Sequence, residues 1–136
     1  MPKISMKQNL NVGADQVWDL IGRFNALPDW HPNVEKSELK EAGQVRKLSL
    51  AGGGTIIEKL EKVDAHTRTY SYTIEDSPLP VKNYRAELTV HEEKDGCSVE
   101  WTSEYEAPGL GEADAMKTLQ DFYQQGFDNL KKMFGQ

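Results

Sequence analysis

The sequence is short of most features that would assign it a chemistry at sight. One cysteine in 136 residues excludes an intrachain disulfide. Cys97 reads instead as a small buried filler beside a hairpin turn. No apolar run approaches the roughly 20 residues that a membrane span requires, and the segment Met1–Lys7 lacks the apolar stretch of a signal peptide. A cytoplasmic protein without integral membrane association is therefore expected. Basic residues are outnumbered, 16 Lys and Arg against 22 Asp and Glu for a net charge of −6, and they form no cluster. Phosphate binding needs a basic stripe, so nucleic acid is not an expected partner. His31, His66 and His91 show no metal-ligand spacing, and with one cysteine neither a zinc site nor any other cofactor is expected. Gly52-Gly53-Gly54-Thr55 lacks the following lysine of a phosphate loop and lies between strands. There is no Gly-x-Ser-x-Gly nucleophile elbow.

What is there is an ordinary globular composition, 38% hydrophobic and 28% charged, with no internal repeat, low-complexity tract or linker. One domain over residues 1–136 is expected. Ile4, Met6, Leu10 and Val12 alternate as on a half-buried strand, with Gln8 the exception. Val17, Trp18, Leu20, Ile21 and Phe24 follow helical spacing. Leu27 to Pro32 suggests a second short helix or turn, closed by its prolines. From Val34 to Glu106 short strands alternate with turns at Ala51–Gly54, Asp64–Thr67, Asp76–Pro80 and Lys94–Gly96, which favours an antiparallel meander. Pro108–Gly111 ends the sheet. Glu112 and Asp114 suit a helix N-terminus and Lys131 and Lys132 its C-terminus. Between them Met116, Leu119, Phe122, Tyr123, Phe127, Leu130, Met133 and Phe134 recur at helical spacing, a helix of about 20 residues or more. Gly126 inside it costs about 1 kcal/mol against alanine and suggests close approach of a strand or a ligand. The order is an α+β one: a strand, two short helices, six strands and a long helix. A helix covering a bent sheet leaves a gap suited to a small molecule.

Period-two alternation assigns the face of each strand. The inward sets are Arg46, Leu48 and Leu50; Ile56, Glu58 and Leu60; Tyr70, Tyr72 and Ile74; Tyr84, Ala86, Leu88 and Val90; and Cys97, Val99, Trp101, Ser103 and Tyr105. The outward sets are far more polar. Two charges break the inward pattern, Arg46 and Glu58, on consecutive strands across the glycine turn and within reach of each other. An isolated buried charge costs several kcal/mol, which a pair, or a pair holding a polar ligand, lowers. The plain alternative is an ion pair that fixes strand register. Tyr72 and Tyr84 add phenol hydroxyls that need partners if buried. The expected lining is Leu48, Ile56, Tyr72, Ala86, Leu88 and Trp101 from the sheet and Leu119 and Tyr123 from the long helix. Trp30 and His31 join it at the mouth, although His31 reads more readily as a solvent-exposed turn histidine.

The segments Val17–Phe24, Trp30-His31-Pro32, Arg46-Lys47-Leu48, Glu58-Lys59-Leu60, Tyr70-Ser71-Tyr72 and Val99-Glu100-Trp101 resemble the Bet v 1-like, START-related superfamily, which includes polyketide cyclases and lipid-transfer proteins. The resemblance runs over nearly the whole length. It implies a helix-grip fold, with a seven-stranded curved antiparallel sheet around a long C-terminal helix and two short helices between strands 1 and 2. From Glu58 to Trp101 the chain is similar to the plant lachrymatory-factor synthases, which rearrange a small sulfenic acid using an Arg, a Glu and a Tyr. By position in the motifs, Arg46, Glu58 and Tyr84 match that catalytic set.

Three functions follow. The first is a module that binds an apolar or amphipathic small molecule. The second is a cofactor-free isomerase, cyclase or dehydratase, with Glu58 as general acid or base, Arg46 holding an oxyanion or carboxylate, and Tyr84 orienting substrate or relaying a proton. The third is a cochaperone-like interaction domain, against which the polar outward faces argue.

Overall fold

The computed structural model describes residues 3–77, 81–107 and 112–134. The expected loop at Pro78–Pro80 and the turn at Pro108–Gly111 lie outside the described residues, as does the side chain of Glu112. Strand β1 (Lys3–Leu10) is followed by helices α1 (Ala14–Ile21) and α2 (Leu27–Trp30). Six strands come next: β2 (Val34–Lys40), β3 (Val45–Leu50), β4 (Thr55–Asp64), β5 (Thr69–Asp76), β6 (Lys82–Glu93) and β7 (Gly96–Glu106). Helix α3 (Glu112–Met133) closes the order. This is the helix-grip arrangement that the alternation and the resemblance predict.

The sheet is antiparallel throughout, in the order β1-β7-β6-β5-β4-β3-β2. Strands β1 and β2 are successive in sequence but occupy opposite edges. The chain between them must therefore cross the sheet, and α1 and α2 are that crossing. Helix α1 buries Ala14, Val17 and Ile21, spaced as one helical face requires. Pro28 sits in the first turn of α2, where its missing N–H costs nothing. The β3–β4 turn is the expected glycine turn: Gly52, Gly53 and Gly54 all have φ between +86° and +100°, a region that side chains with a Cβ rarely enter.

The register shifts between Ile57 and Glu58 and between Leu60 and Lys62 on β4, and between Lys82 and Arg85 on β6. Such bulges bend a strand and increase its twist; these fall on the strands of Glu58 and Tyr84, and a further shift lies between Val34 and Lys36 on β2. The concave face so formed receives α3, which buries Ala115, Leu119, Tyr123, Phe127 and Leu130 against it. The centre of the core is aromatic. Trp101 of β7 stacks on Tyr123 of α3 with ring centroids 4.2 Å apart, and Trp30 lies 5.6 Å from Trp101 on another side. Ser71 and Ser98 point to the outer face and are nevertheless buried; Ser98 donates to Glu93 at 2.7 Å. Among the described residues no helix is long and apolar enough to cross a membrane.

Gly126 explains how α3 comes so close. A Cβ there would stand 2.9 Å from both His31 Cδ2 and Trp30 Cζ3. The close approach expected of this glycine is made by Trp30 of α2 and by His31, with Trp101 of strand β7 next at 3.5 Å.

Candidate functional site

A cavity of about 240 Å³ lies between the concave sheet and the middle of α3. Its buried polar side chains are Glu58, Tyr72, Tyr84 and Tyr123. Ile56, Leu119, Leu50, Ile74 and Phe122 make its apolar walls. Asn33 and the exposed residues Thr118, Asp121 and Gln125 of α3 form a polar rim. The volume is somewhat below the range of drug-sized sites. It exceeds the ~150 Å³ of an engineered apolar cavity that takes up benzene.

Arg46 and Glu58 face each other directly across β3 and β4. Arg46 is 1% exposed and Glu58 5%. Arg46 Nε donates to Glu58 Oε1 at 2.8 Å, and Nη2 lies 2.6 Å from the same oxygen. Nη1 donates to the Phe24 carbonyl, and the guanidinium carbon lies 4.1 Å from the Phe24 ring centroid and 5.1 Å from that of Tyr72. Burial pushes the Glu58 carboxyl above the usual carboxylate range, and Arg46 offsets only part of that rise. Burial works against the Arg46 charge too, but Glu58, Tyr70 and Tyr72 together outweigh it and the guanidinium stays protonated.

The phenols form a second layer. Trp101 Nε1 donates to the Tyr72 hydroxyl at 3.0 Å, and the hydroxyls of Tyr84 and Tyr123 are hydrogen-bonded to each other. Burial holds Tyr72 and Tyr84 well above the ordinary phenol value, so both are protonated donors.

Of the residues expected at the site, Ile56, Glu58, Tyr72, Tyr84, Leu119 and Tyr123 meet at the cavity. Arg46 stands behind Glu58, off the lining. Its Nε and Nη1 donate to Glu58 and Phe24. Leu48, Ala86, Leu88, Trp30 and Trp101 are core residues off the described lining.

His31 requires a correction. It is fully buried, with neither a place on the described lining nor the solvent exposure of a turn residue. Its Nδ1 accepts the Asn33 N–H at 3.1 Å, which leaves Nε2 to donate to the Phe122 carbonyl at 2.6 Å. The ring also stacks on Phe122, centroids 3.9 Å apart. Desolvation lowers its pKa to about 4, against a smaller upward pull from the Phe122 bond. His31 thus clamps the α2–β2 connection to α3, and both residues it grips, Asn33 and Phe122, line the cavity.

Leu50, Ile74, Phe122 and the rim were not among the expected site residues. For Leu50 and Ile74 the signal was present, since both belong to the inward sets. Thr118, Asp121 and Gln125 recur at i, i+3 and i+7 beside the apolar stripe of α3, and only the position of the helix makes that face a rim.

The sequence pattern of a family described as polyketide cyclase/dehydrase and lipid transport matches residues 1–135. Among solved structures the chain is similar to the protein XoxI from Bacillus cereus, with 34% identity, a TM-score of 0.95, and coverage of 98% of this chain and 96% of that one. It is also similar to an uncharacterized protein from Bacillus thuringiensis, at 36% identity and a TM-score of 0.90, over 98% and 97% of the two chains. Ara h 8.0201 shares the fold at 14% identity, with a TM-score of 0.78 over 98% and 97% of the chains. No curated protein matches the chain. The finer likeness to lachrymatory-factor synthases finds no support in these comparisons.

Proposed function

The chain belongs to the polyketide cyclase/dehydrase and lipid transport family, within the Bet v 1-like superfamily, and from that premise we propose that its cavity binds one small amphipathic molecule. The observation that carries the reading is a set of buried polar groups, Glu58, Tyr72 and Tyr84, among the apolar walls of a cavity of about 240 Å³. Apolar walls supply affinity and a few convergent polar groups supply orientation. The ligand enters past the rim with its apolar body against Ile56, Leu119 and Phe122 and its polar head toward Glu58. Native mass spectrometry of freshly purified protein tests this. A co-purified ligand is expected, and it is lost when Leu119→Trp fills the cavity. Identical adducts on both proteins would place the ligand elsewhere and sink the reading.

A second reading, a cofactor-free enzyme working by proton transfer, is favoured by one feature of the same site. Both Arg46 contacts to Glu58 fall on Oε1, so Oε2 of a carboxyl with a raised pKa is left on the cavity side. That oxygen serves as general acid or base. Arg46 positions it, and Tyr84, coupled to Tyr123, orients the substrate or relays the proton. Isomerisation, cyclisation and dehydration are the reaction classes that such a set performs without a metal or cofactor.

A further inference from the structure

Two polar groups that line the cavity each keep one hydrogen-bonding position open, in a complementary way. Trp101 Nε1–H donates to the Tyr72 oxygen, so the hydroxyl proton of Tyr72 is left to point elsewhere. No acceptor among the described residues is hydrogen-bonded to it. Tyr72 is buried and lines the cavity, and the cavity is where an acceptor can reach that proton. Glu58 is the mirror case. Its Oε1 takes both Arg46 contacts and its Oε2 has no partner among the described residues, while the side chain lines the same cavity. A ligand that pairs both positions gains two hydrogen bonds in a largely apolar surrounding, each of about 0.5–1.5 kcal/mol.

The two groups stand on the same face of neighbouring strands. Glu58 lies opposite Ile74 and Leu60 opposite Tyr72 on β4 and β5. Glu58 and Tyr72 are therefore diagonal neighbours on one face, at a separation of roughly 7–8 Å between backbones. Resting on the cavity-binding reading above, we infer that Tyr72, its hydroxyl oriented by Trp101, and Glu58 form a two-point recognition element for an uncharged ligand bearing a hydroxyl, or an adjacent donor and acceptor, on an apolar body. Glu58 Oε2 receives the ligand's donor, and the Tyr72 hydroxyl donates to the ligand's acceptor. Trp101 is a positioning residue, since it touches Tyr72 and not the cavity. A carboxylate head is selected against. Glu58 and Asp121 are the charged side chains of the described lining, with no cation among them, and Arg46 lies off that lining with Nε and Nη1 donating to Glu58 and Phe24.

Isothermal titration of the full chain with four bicyclic probes tests the inference: naphthalene, 2-methoxynaphthalene, 2-naphthol and 2-naphthoate. Their apolar bodies match, and their heads present nothing, an acceptor, a donor with an acceptor, and an anion. 2-Naphthol is expected to bind at least tenfold more tightly than 2-methoxynaphthalene or 2-naphthoate. Tyr72→Phe should weaken 2-naphthol about tenfold, the size of one hydrogen bond, and leave naphthalene within about twofold. Trp101→Phe should lower the preference for 2-naphthol over naphthalene without adding to the loss in Tyr72→Phe. A merely structural Trp101 would instead weaken both probes together. If Trp101→Phe does not fold, the Tyr72→Phe comparison alone decides. Equal affinity for 2-naphthol and 2-methoxynaphthalene, or a 2-naphthol affinity indifferent to Tyr72→Phe, overturns the recognition element and leaves the cavity reading standing. Binding of none of the four overturns both.

Discussion

Arg46 holds Glu58 by a single oxygen: Nε and Nη2 both contact Oε1, at 2.8 and 2.6 Å, from the residue directly opposite on the neighbouring strand. Both side chains are buried, so each is the main compensation for the other's lost hydration. Removing one partner strands a charge, at a cost of about 3–5 kcal/mol, whereas replacing both with apolar residues is often close to neutral. Arg46→Met and Glu58→Leu should each lose several kcal/mol in urea unfolding at pH 7. The double variant should be more stable than Arg46→Met alone. Additive losses would mean that the pair is not coupled.

His31 makes stability depend on pH in a defined direction. Its pKa falls from 6.5 to about 4 on folding, so between those values the unfolded chain binds a proton that the folded chain does not. Stability therefore rises with pH across this window and falls as pH drops through it. A shift of that size corresponds to about 3 kcal/mol. Glu58, with its carboxyl raised by burial, pulls the opposite way just above the ordinary carboxylate range, so the contribution of His31 is isolated by substitution. Going from pH 7 to pH 4.5, the wild type should lose about 2–3 kcal/mol more than His31→Gln. Parallel curves for the two proteins would contradict the clamp.

Gly126→Ala sets helix propensity against packing. On an open helix the change would gain about 1 kcal/mol. Here the new methyl would lie 2.9 Å from two ring atoms, His31 Cδ2 and Trp30 Cζ3. Both rings are fully buried and cannot swing aside. Overpacking of this kind costs about 1–3 kcal/mol, so thermal unfolding should show a net loss. Since α2 is pushed from α3, probe affinity should fall with it. A stabilised variant would mean that the rings yield.

The sequence was legible where periodicity decides. Arg46 and Glu58 are equidistant from Gly52, and a side-chain period of two leaves them on one face and opposite each other. Depth was not legible. Leu48 and Leu50 alternate alike, yet Leu48 is core and Leu50 lines the cavity. Whether an inward side chain meets α3 or empty space depends on where the helix sits along the sheet. That position is set by contacts between residues far apart in sequence, such as Trp101 with Tyr123 and His31 with Phe122. His31 was misread for the same reason. A histidine between two short elements has the local pattern of a turn, and its burial comes from a carbonyl 91 residues away.

Glu58→Gln separates holding a ligand from changing it. Glutamine keeps the shape of the side chain, and its amide oxygen can still accept from Arg46. The amide nitrogen then faces the cavity in place of Oε2, which turns an acceptor into a donor. Stability should fall, because Arg46 keeps its charge and loses its counter-ion, and apolar probes should still bind. A hydroxyl probe should bind more weakly, and a probe bearing only an acceptor should improve. An amide cannot take up a proton at neutral pH, so any turnover that runs through Glu58 should drop by about 10²–10⁴-fold. Turnover of a ligand identified by mass spectrometry is the quantity to follow, with naphthalene affinity as the control for an intact cavity. Undiminished turnover beside an intact cavity would assign the proton transfer to another group, with the hydrogen-bonded Tyr84 and Tyr123 the next pair to substitute.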